Sequence, residues 1–221
     1  MFCTTIPQIW RNRLGAGTSK KSGTEESREK GKAYLLDKYT GELLDKISKA
    51  ELRETVPVPA GVDINEWLAT NTLSFYNHIN QIYSTITDYC TAVTCNNLSS
   101  GNTSFTWVDE KGKKIRMSAH QYLELVIISV EKLVTDEGTF PTKYDQEFPI
   151  HFQTTIKRIF RLMFHVLGHI YTSHFNNILE LGELLVLNTV FVHFMYFQME
   201  HNLIDAKELQ SLEDLVQAFN L

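Results

Sequence analysis

Hydrophobic residues recur at helical spacing through most of the chain beyond residue 62. The first such run follows Asp63, a residue type that often caps helices, and Glu66 three positions later resembles a capping box. Spacings of three and four residues place apolar side chains on one face of an α-helix. The run therefore predicts a helix that delivers Cys90 at its C-terminal end. Its apolar positions are Ile64, Trp67, Leu68, Phe75, Ile79, Ile82 and Ile86.

Four further helices are predicted, two from capping patterns and two from long apolar runs. The capping patterns place Gln or Glu three positions after a polar first residue. These pairs are Ser118 with Gln121 and Asp205 with Glu208, and the apolar runs begin near His151 and Leu184. The helix that starts at Asp205 is expected to end near Ala218.

Other patterns divide the chain into an extension and a body. VPVPAGV, residues 56–62, contains two prolines that end helix propagation, and it marks the boundary. Residues 1–55 are predicted to be a mostly flexible basic extension, from which AYLLDKYT, residues 33–40, docks back on the body. SFTWVDEKGKKIRMS, residues 104–118, alternates apolar and polar positions as a β-hairpin does. Residues 56–221 are therefore predicted to be an all-α domain, a helical bundle with one small β-hairpin.

The composition fits one globular body preceded by a leader of different charge. Hydrophobic residues make up 43% of the 221 residues, which is enough for one sizeable core. The net charge of −5 offers no overall attraction to nucleic acid or to an anionic membrane. Residues 1–50 nevertheless hold ten Lys and Arg against six Asp and Glu. A basic leader, whose Ser and Thr residues are candidate phosphorylation sites, therefore precedes an acidic body.

The sequence carries no pattern of secretion or membrane insertion. Its three cysteines are an odd number, which favours a reducing compartment over a complete disulfide framework. The opening segment, MFCTTIPQIWRNRLG, lacks the apolar run of a signal peptide. Asn188 and His193 interrupt the most apolar stretch, which is too short to span a bilayer. The sequence predicts a cytoplasmic protein with access to the nucleus and no membrane span.

Two pairs of soft ligands are the main candidates for chemistry. They are Cys90 with Cys95 and His169 with His174. Zinc binds deprotonated Cys and neutral His in a tetrahedron, and structural sites use four protein ligands. Residues at i and i+5 point about 140° apart on a helix, whereas His165 and His169 share a face. Spacing alone therefore leaves open a zinc site, a rival histidine pair, and ordinary burial in the core.

Other candidate sites have weaker support in the sequence. A zinc hydrolase using His165, His169 and one cysteine would need an open metal position and a general base. No Asp or Glu occurs among residues 160–175, so the H-E-x-x-H arrangement is missing. A basic cluster on the same predicted helix would either hold a phosphate or line a solvated face. It consists of Lys157, Arg158 and Arg161.

Five segments of the chain resemble the Mob (Mps-one-binder, phocein-like) family of kinase activators. They are VDINEWLATNTLSFYNHINQIYSTITDYC, WVDEKGKKIRMSAHQY, VEKLVTDEGTFPTKYDQEFP, FHVLGHIYTSHF and LNTVFVHFMYFQMEHNLIDAKEL. The resemblance runs from about residue 56 to the C-terminus. Within it, DEKGKK, LVTDE, FPTKY, FHVLGHIY and the earlier KAYL are most similar to the type-two Mob branch.

The resemblance implies a helical bundle with one structural zinc and no catalytic activity. The family's ligands fall on Cys90, Cys95, His169 and His174, so His165 is expected to form neighbouring surface instead. Family members bind the basic N-terminal regulatory region of NDR/LATS-type AGC serine/threonine kinases in Hippo-like signalling. The resemblance therefore implies a kinase as partner, no nucleic acid, and a monomer apart from that kinase.

The same resemblance implies two surfaces for partners. The acidic kinase-binding surface of the type-one branch matches here at Asp63 and Glu66, whereas Val62 and Ser74 occupy two other acidic positions. The type-one branch also binds phosphothreonine peptides through three basic residues, and only one strong cation remains at those positions. They hold Arg161, Leu162 and His165. We therefore expect a degenerate phosphopeptide site made of Lys157, Arg158, Arg161 and His165.

Overall fold

A computed structural model describes most of the chain beyond residue 32. The described residues are 33–36, 39, 44–100, 103–109, 111–143 and 145–221. The leader predicted to be flexible, with its candidate phosphorylation sites and Cys3, lies largely outside these residues. Within the described part of the chain, no helix combines the length and the apolar character needed to cross a bilayer.

The described residues form a helical bundle with two short antiparallel strand pairs. The helices are α1 Lys49–Glu54, α2 Ile64–Ser84, α3 Ala119–Val134, α4 Phe152–Ser173, α5 Phe175–Glu180, α6 Leu184–His201, α7 Ala206–Leu209 and α8 Glu213–Ala218, with 3-10 turns at Ala33–Leu35, Leu44–Lys46 and Gln210–Leu212. The strand pairs are β1 Ser99–Ser100 with β2 Thr103–Ser104, and β3 Trp107–Val108 with β4 Lys114–Ile115. The predicted all-α class with a hairpin is confirmed, and the β1–β2 pair is an element that was not predicted.

Helix α4 is the centre of the bundle because three of its neighbours pack on different sides. It contacts α2, α3 and β1, while α6 packs against both α1 and α2. Every residue from Leu162 to Tyr171 is buried, so this half of α4 has no solvated face. In the preceding turn, Phe160 stacks on Phe194 and Phe197 with ring centroids 5.0 and 5.7 Å apart. Elements that meet α4 are thereby held in fixed positions around it.

The capping residues predicted for α2 and α3 both accept hydrogen bonds from the first turn of their helices. At α3 the capping box is complete, because Ser118 Oγ accepts from the Gln121 N–H and Gln121 Oε1 accepts from the Ser118 N–H. At α2 the Asp63 carboxylate accepts from the N–H groups of Asn65 and Glu66, at 2.8 and 3.3 Å. Asp63 therefore caps α2 through its own side chain.

The prediction of one continuous last helix was wrong. Asp205 stands at the N-cap of α7 but makes no side-chain capping bond there, and a 3-10 turn separates α7 from α8. The side chain of Glu208 approaches His165 Nε2 at 3.2 Å instead of returning to the helix start. Glu208 therefore contacts His165 of α4 and does not form the predicted cap with Asp205.

Part of the segment N-terminal to residue 56 packs on the bundle. Tyr34 is buried, with its ring edge-on to Tyr171 and Phe175, as the predicted docking of residues 33–40 requires. Helix α1 packs against α6, and the Arg53 guanidinium lies 4.7 Å from the centre of the Tyr196 ring. The helical body therefore includes described residues on the N-terminal side of the predicted boundary.

Candidate metal centre and partner surfaces

The two cysteines lie in a compact run of turns that follows α2. Ile86, completely buried, accepts a 3.0 Å hydrogen bond from the Cys90 N–H through its carbonyl. The Cys95 N–H in turn donates to the Thr91 carbonyl at 2.9 Å. The prediction that the first helix delivers Cys90 holds only approximately, since α2 ends at Ser84 and these turns carry the chain onward.

Two threonines fix the loop between the cysteines. Each donates its backbone N–H to the other's hydroxyl, at 2.9 Å from Thr91 and 3.2 Å from Thr94. The Thr94 hydroxyl also donates to the Tyr89 carbonyl at 2.7 Å. Hydroxyl-to-backbone bonds of this kind stabilise short turns. These hydrogen bonds were not predicted, although Thr-x-x-Thr between two cysteines was a visible signal in the sequence.

The histidines reach the same place because α4 stops between them. His169 lies inside the helix, whereas His174 follows its last residue and has a non-helical backbone, with φ −124° and ψ 13°. The angle of about 140° between side chains at i and i+5 of a helix therefore does not apply to His169 and His174. His174 Nδ1 lies 3.2 Å from Asn177 Oδ1, which leaves Nε2 free to bind a metal.

The four side chains form a cluster suited to a metal ion. Cys90 Sγ is 3.4 Å from His169 Nε2, and Cys95 Sγ is 3.3 Å from His174 Nε2. All four ligand atoms lie within 4.8 Å of one another. Neighbouring sulfur and nitrogen ligands of a tetrahedral zinc are about 3.5 Å apart, given its usual bond lengths. The cluster can therefore hold a metal ion, and two thiolates with two imidazoles are a donor set typical of structural zinc.

Burial sets the protonation of Cys90, His169 and His174 when no metal is bound. It lowers the pKa of His169 to about 3, helped by the neighbouring His174, whose own pKa is also lowered by burial. Burial together with Cys95 raises the pKa of Cys90 to about 12. The imidazoles are thus already neutral, as metal ligands must be, whereas the Cys90 thiol must lose its proton when a metal binds.

His165 is not part of this cluster. Its Nδ1 lies 2.8 Å from the Tyr122 hydroxyl, and its Nε2 lies 3.2 Å from Glu208 Oε2. The imidazole also stacks on Phe105, with ring centroids 3.9 Å apart. Both ring nitrogens are occupied and the residue is 5% exposed, so His165 contributes little to the surface that it was expected to form.

The basic cluster lies on the solvated side of α4. Lys157, Arg158 and Arg161 are all exposed, whereas Leu162 points into the core. His165 lowers the pKa of Glu208, and the charge of Arg161 contributes in the same direction. A carboxylate therefore already lies beside two members of the predicted phosphopeptide site, which stays a prediction.

The predicted kinase-binding acids lie at the start of α2. Asp63 and Glu66 are both exposed, although the Asp63 carboxylate also serves as the helix cap. Leu73 follows Glu66 by two helical turns on the same face of α2 and is 37% exposed, and Val62, which precedes the helix cap, is 41% exposed. The surface therefore combines two acids with two exposed apolar side chains.

Comparison with known proteins identifies the family. A sequence model of the Mob1/phocein family matches residues 45–212, which is most of the chain. The chain belongs to the Mob1/phocein family. The match begins before the boundary predicted at residue 56, which agrees with the packing of α1 on the body of the Mob1/phocein domain.

Curated members of the Mob1/phocein family resemble the chain over most of its length. MOB kinase activator 2 of Mus musculus is 45% identical over 92% of this chain and 86% of its own length. MOB kinase activator 2 of Homo sapiens is 44% identical over 92% and 85%. MOB kinase activator-like 1 homolog B of Dictyostelium discoideum is 43% identical over 77% and 80%. These three relatives are named as kinase activators.

Proposed function

We propose that this protein is a non-catalytic adaptor that binds the basic N-terminal regulatory region of an NDR/LATS-type serine/threonine kinase and modulates its activity. The names of the relatives support the kinase activator role. The observation that carries the more specific proposal is the pair of exposed acids, Asp63 and Glu66, on a helix whose other face is buried against α4. A rigid acidic surface of this kind can order a flexible basic segment.

The apolar residues beside the acids define the partner segment more closely. Val62 exposes aliphatic surface just before the cap of α2, and Leu73 does so two turns after Glu66. A helix of the kinase that alternates cations with apolar side chains would match both the acids and these apolar side chains. Binding of that helix would shift the populations of the kinase's conformational states.

We further propose that the Cys and His cluster holds a structural zinc. Four protein donors fill a tetrahedron and leave no ligand position for water or substrate, which supports a structural role over a hydrolytic one. The zinc would join the turns after α2 to the C-terminal end of α4. Mutation of Cys90 or His174 to Ala should therefore reduce bound zinc, measured by mass spectrometry of the purified protein.

The kinase surface can be tested without disturbing the helix. In the double variant Asp63→Asn/Glu66→Gln, Asn still caps the helix while both charges are removed. Two exposed charge pairs contribute roughly 0.2–1 kcal/mol each, so we expect about two- to thirtyfold weaker binding to a recombinant NDR-type kinase fragment. Calorimetry at two salt concentrations should also show a smaller salt dependence for the variant.

A matched variant controls for net charge. Asp88→Asn/Glu180→Gln removes two exposed acids elsewhere and should bind the fragment as the unchanged protein does. Equal affinity of the two double variants would contradict the proposed surface. The proposal also places the protein in the cytoplasm with a nuclear pool, which cell fractionation would test.

A further inference from the structure

Strand β4 has an outer edge that no described strand covers. Asp109 donates its N–H to the Lys113 carbonyl at 3.1 Å, and two residues further along the ladder Trp107 pairs with Ile115. Hydrogen-bonded and non-hydrogen-bonded pairs alternate in an antiparallel ladder, so the backbone N–H and C=O of Lys114 point away from β3. Within the described part of the chain, β3 is the only strand that pairs with β4. The outer edge can therefore pair with another extended chain.

A partly apolar groove of about 470 Å³ lies between β4 and α3. Ile115 from β4 and Leu125 and Ile128 from α3 line it, and neither residue of β3 does. The two isoleucines are 36% and 59% exposed. Trp107 shares a face of the hairpin with its partner Ile115, and its ring packs edge-on to Tyr122 of α3, with centroids 5.5 Å apart. Helix α3 therefore lies beneath this face and forms the floor of a groove along the outer edge of β4.

The charges around the groove select the chemistry of such a chain. Lys114 and Arg116 are exposed cations on the side of β4, and Arg116 Nε donates to Asn97 Oδ1 at 3.3 Å. Glu124, on the side of α3, lies 3.4 Å from His120 Nε2. Side chains of a strand alternate between its two faces, so an added strand would place one set over α3 and the other set beside Lys114. Apolar side chains suit the first position and carboxylates suit the second.

We propose that the outer edge of β4 binds an extended peptide of a partner protein, in which acidic and apolar residues alternate, by β-strand addition. The peptide backbone would hydrogen-bond to Lys114, and its apolar side chains would enter the groove over Leu125 and Ile128. Its carboxylates would lie beside the Lys114 ammonium on the opposite face. This site shares no residue with the kinase surface proposed on α2, so the protein would have a second, independent interaction surface.

Synthetic peptides test the site in the full-length protein. We expect the peptide EVELEV to shift the amide NMR signals of residues 114–117 and 125–128, and to saturate them below about 1 mM. The peptide KVKLKV, in which Lys replaces Glu, should bind at least about tenfold more weakly. EVELEV with alternate backbone nitrogens methylated cannot hydrogen-bond along a strand edge and should not bind. The absence of saturable shifts with EVELEV would overturn the proposal, as would equal binding of the methylated peptide.

Two substitutions of Lys114 separate its backbone from its charge. Lys114→Gln removes only the cation, whereas Lys114→Pro also removes the N–H, and proline is tolerated on a strand edge whose N–H faces outward. We expect Lys114→Pro to bind EVELEV about two- to tenfold more weakly than Lys114→Gln, the effect of one backbone hydrogen bond. Equal affinities, with the hairpin signals of both variants retained, would show that charge alone attracts the peptide and would overturn strand addition. If proline disrupts the hairpin, the methylated peptide tests the same bond from the other side.

Two exposed isoleucines provide the matched pair that tests the groove. Ile128→Gln removes apolar surface from its floor and should weaken binding of EVELEV on the order of tenfold. Ile150→Gln replaces an isoleucine that is 107% exposed and does not line the groove, so it should leave the affinity unchanged. Equal affinities of these two variants would show that the peptide does not occupy the groove and would overturn the assignment.

Discussion

The two halves of α4 are held in the bundle by different kinds of contact. Around Phe160, Phe194 and Phe197 stack and Phe75 packs edge-on, so apolar surface alone makes the interface. At the C-terminal end, four metal-binding donors converge within 4.8 Å. Aromatic packing is complete without any ligand, whereas two thiols and two imidazoles bury polar atoms at a cost.

The difference means that the two regions should respond to different conditions. The aromatic region depends on volume and shape, which the supply of a metal ion does not change. The metal region would depend on the supply of a cation and on pH, because metal ligands must be deprotonated. Helix α2, which carries the proposed kinase surface, touches both regions, through Phe75 in its middle and through the turns to Cys90 at its end.

Metal removal should have the largest effect on the stability of the protein. Structural zinc can contribute on the order of 10 kcal/mol, which is comparable to the whole stability of a domain. We expect a strong chelator to abolish most of the cooperative unfolding transition, measured by circular dichroism, and excess zinc to restore it. Hydrogen exchange should rise first in residues 85–98 and 165–180. Identical melting curves with and without chelator would contradict a structural metal.

Replacement of Phe160 by Ala should destabilise the aromatic region. Phe160 is completely buried, so its truncation leaves a large cavity and should cost about 3–5 kcal/mol in the free energy of unfolding. Zinc content should remain unchanged, because the ligands belong to the opposite end of α4. Denaturant unfolding of the metal-loaded protein measures the loss.

The exposed Ile150 supplies the control for that substitution. Its side chain is 107% exposed, so Ile150→Ala removes apolar atoms without making a cavity and should stay within about 0.5 kcal/mol. Loss of zinc from Phe160→Ala would show that the two regions are not independent.

The same division explains what the sequence could predict. Apolar periodicity located α2, α3, α4 and α6, because each buries one broad stripe or is buried on all sides. Short α1 and α5 were missed, since six residues carry too little periodicity to stand out. The last helix was predicted as continuous, because its break and the pairing of Glu208 with His165 depend on tertiary contacts.

The candidate metal site was only partly predictable. Residue type and spacing indicated two ligand pairs, but helix geometry favoured His165 over His174. No local signal ends α4 at Ser173, because His is not a helix breaker. The family resemblance selected the four residues that the structure brings together. The pairing of Thr91 with Thr94 had a visible signal in the sequence, whereas the contact of Asn177 with His174 required coordinates.

Acid should destabilise the protein through His193, which lies in the aromatic region. Its ring packs edge-on against Phe75, and its Nε2 lies 3.2 Å from the Thr55 hydroxyl. Burial, aided by the charge of His78, lowers the pKa of His193 to about 4. An unfolded His has a pKa of about 6.5, so folding favours the neutral form. This contribution is complete above pH 6.5 and is lost as pH falls toward 4.

The expected size of that effect can be measured with His193→Gln. Between pH 7 and pH 5 the unchanged protein should lose roughly 2 kcal/mol more stability than the variant, from this group alone. Denaturant unfolding at both pH values, with zinc in excess, gives the difference. Parallel losses in the two proteins would show that His193 titrates normally in the folded state.

The smallest predicted effect concerns Ser118, which joins α3 to the metal region. Its capping box orders the first turn of α3, and the next residue, Ala119, donates its N–H to the Cys95 carbonyl at 2.9 Å. Ser118→Ala should cost about 1 kcal/mol in unfolding experiments, whereas Ser118→Thr retains a capping hydroxyl and should cost less. Because a bound metal would hold Cys95 in place, the alanine variant should weaken zinc binding only slightly. A large loss of zinc would instead show that the cysteine loop depends on the α3 cap, and that the metal alone does not order this end of the bundle.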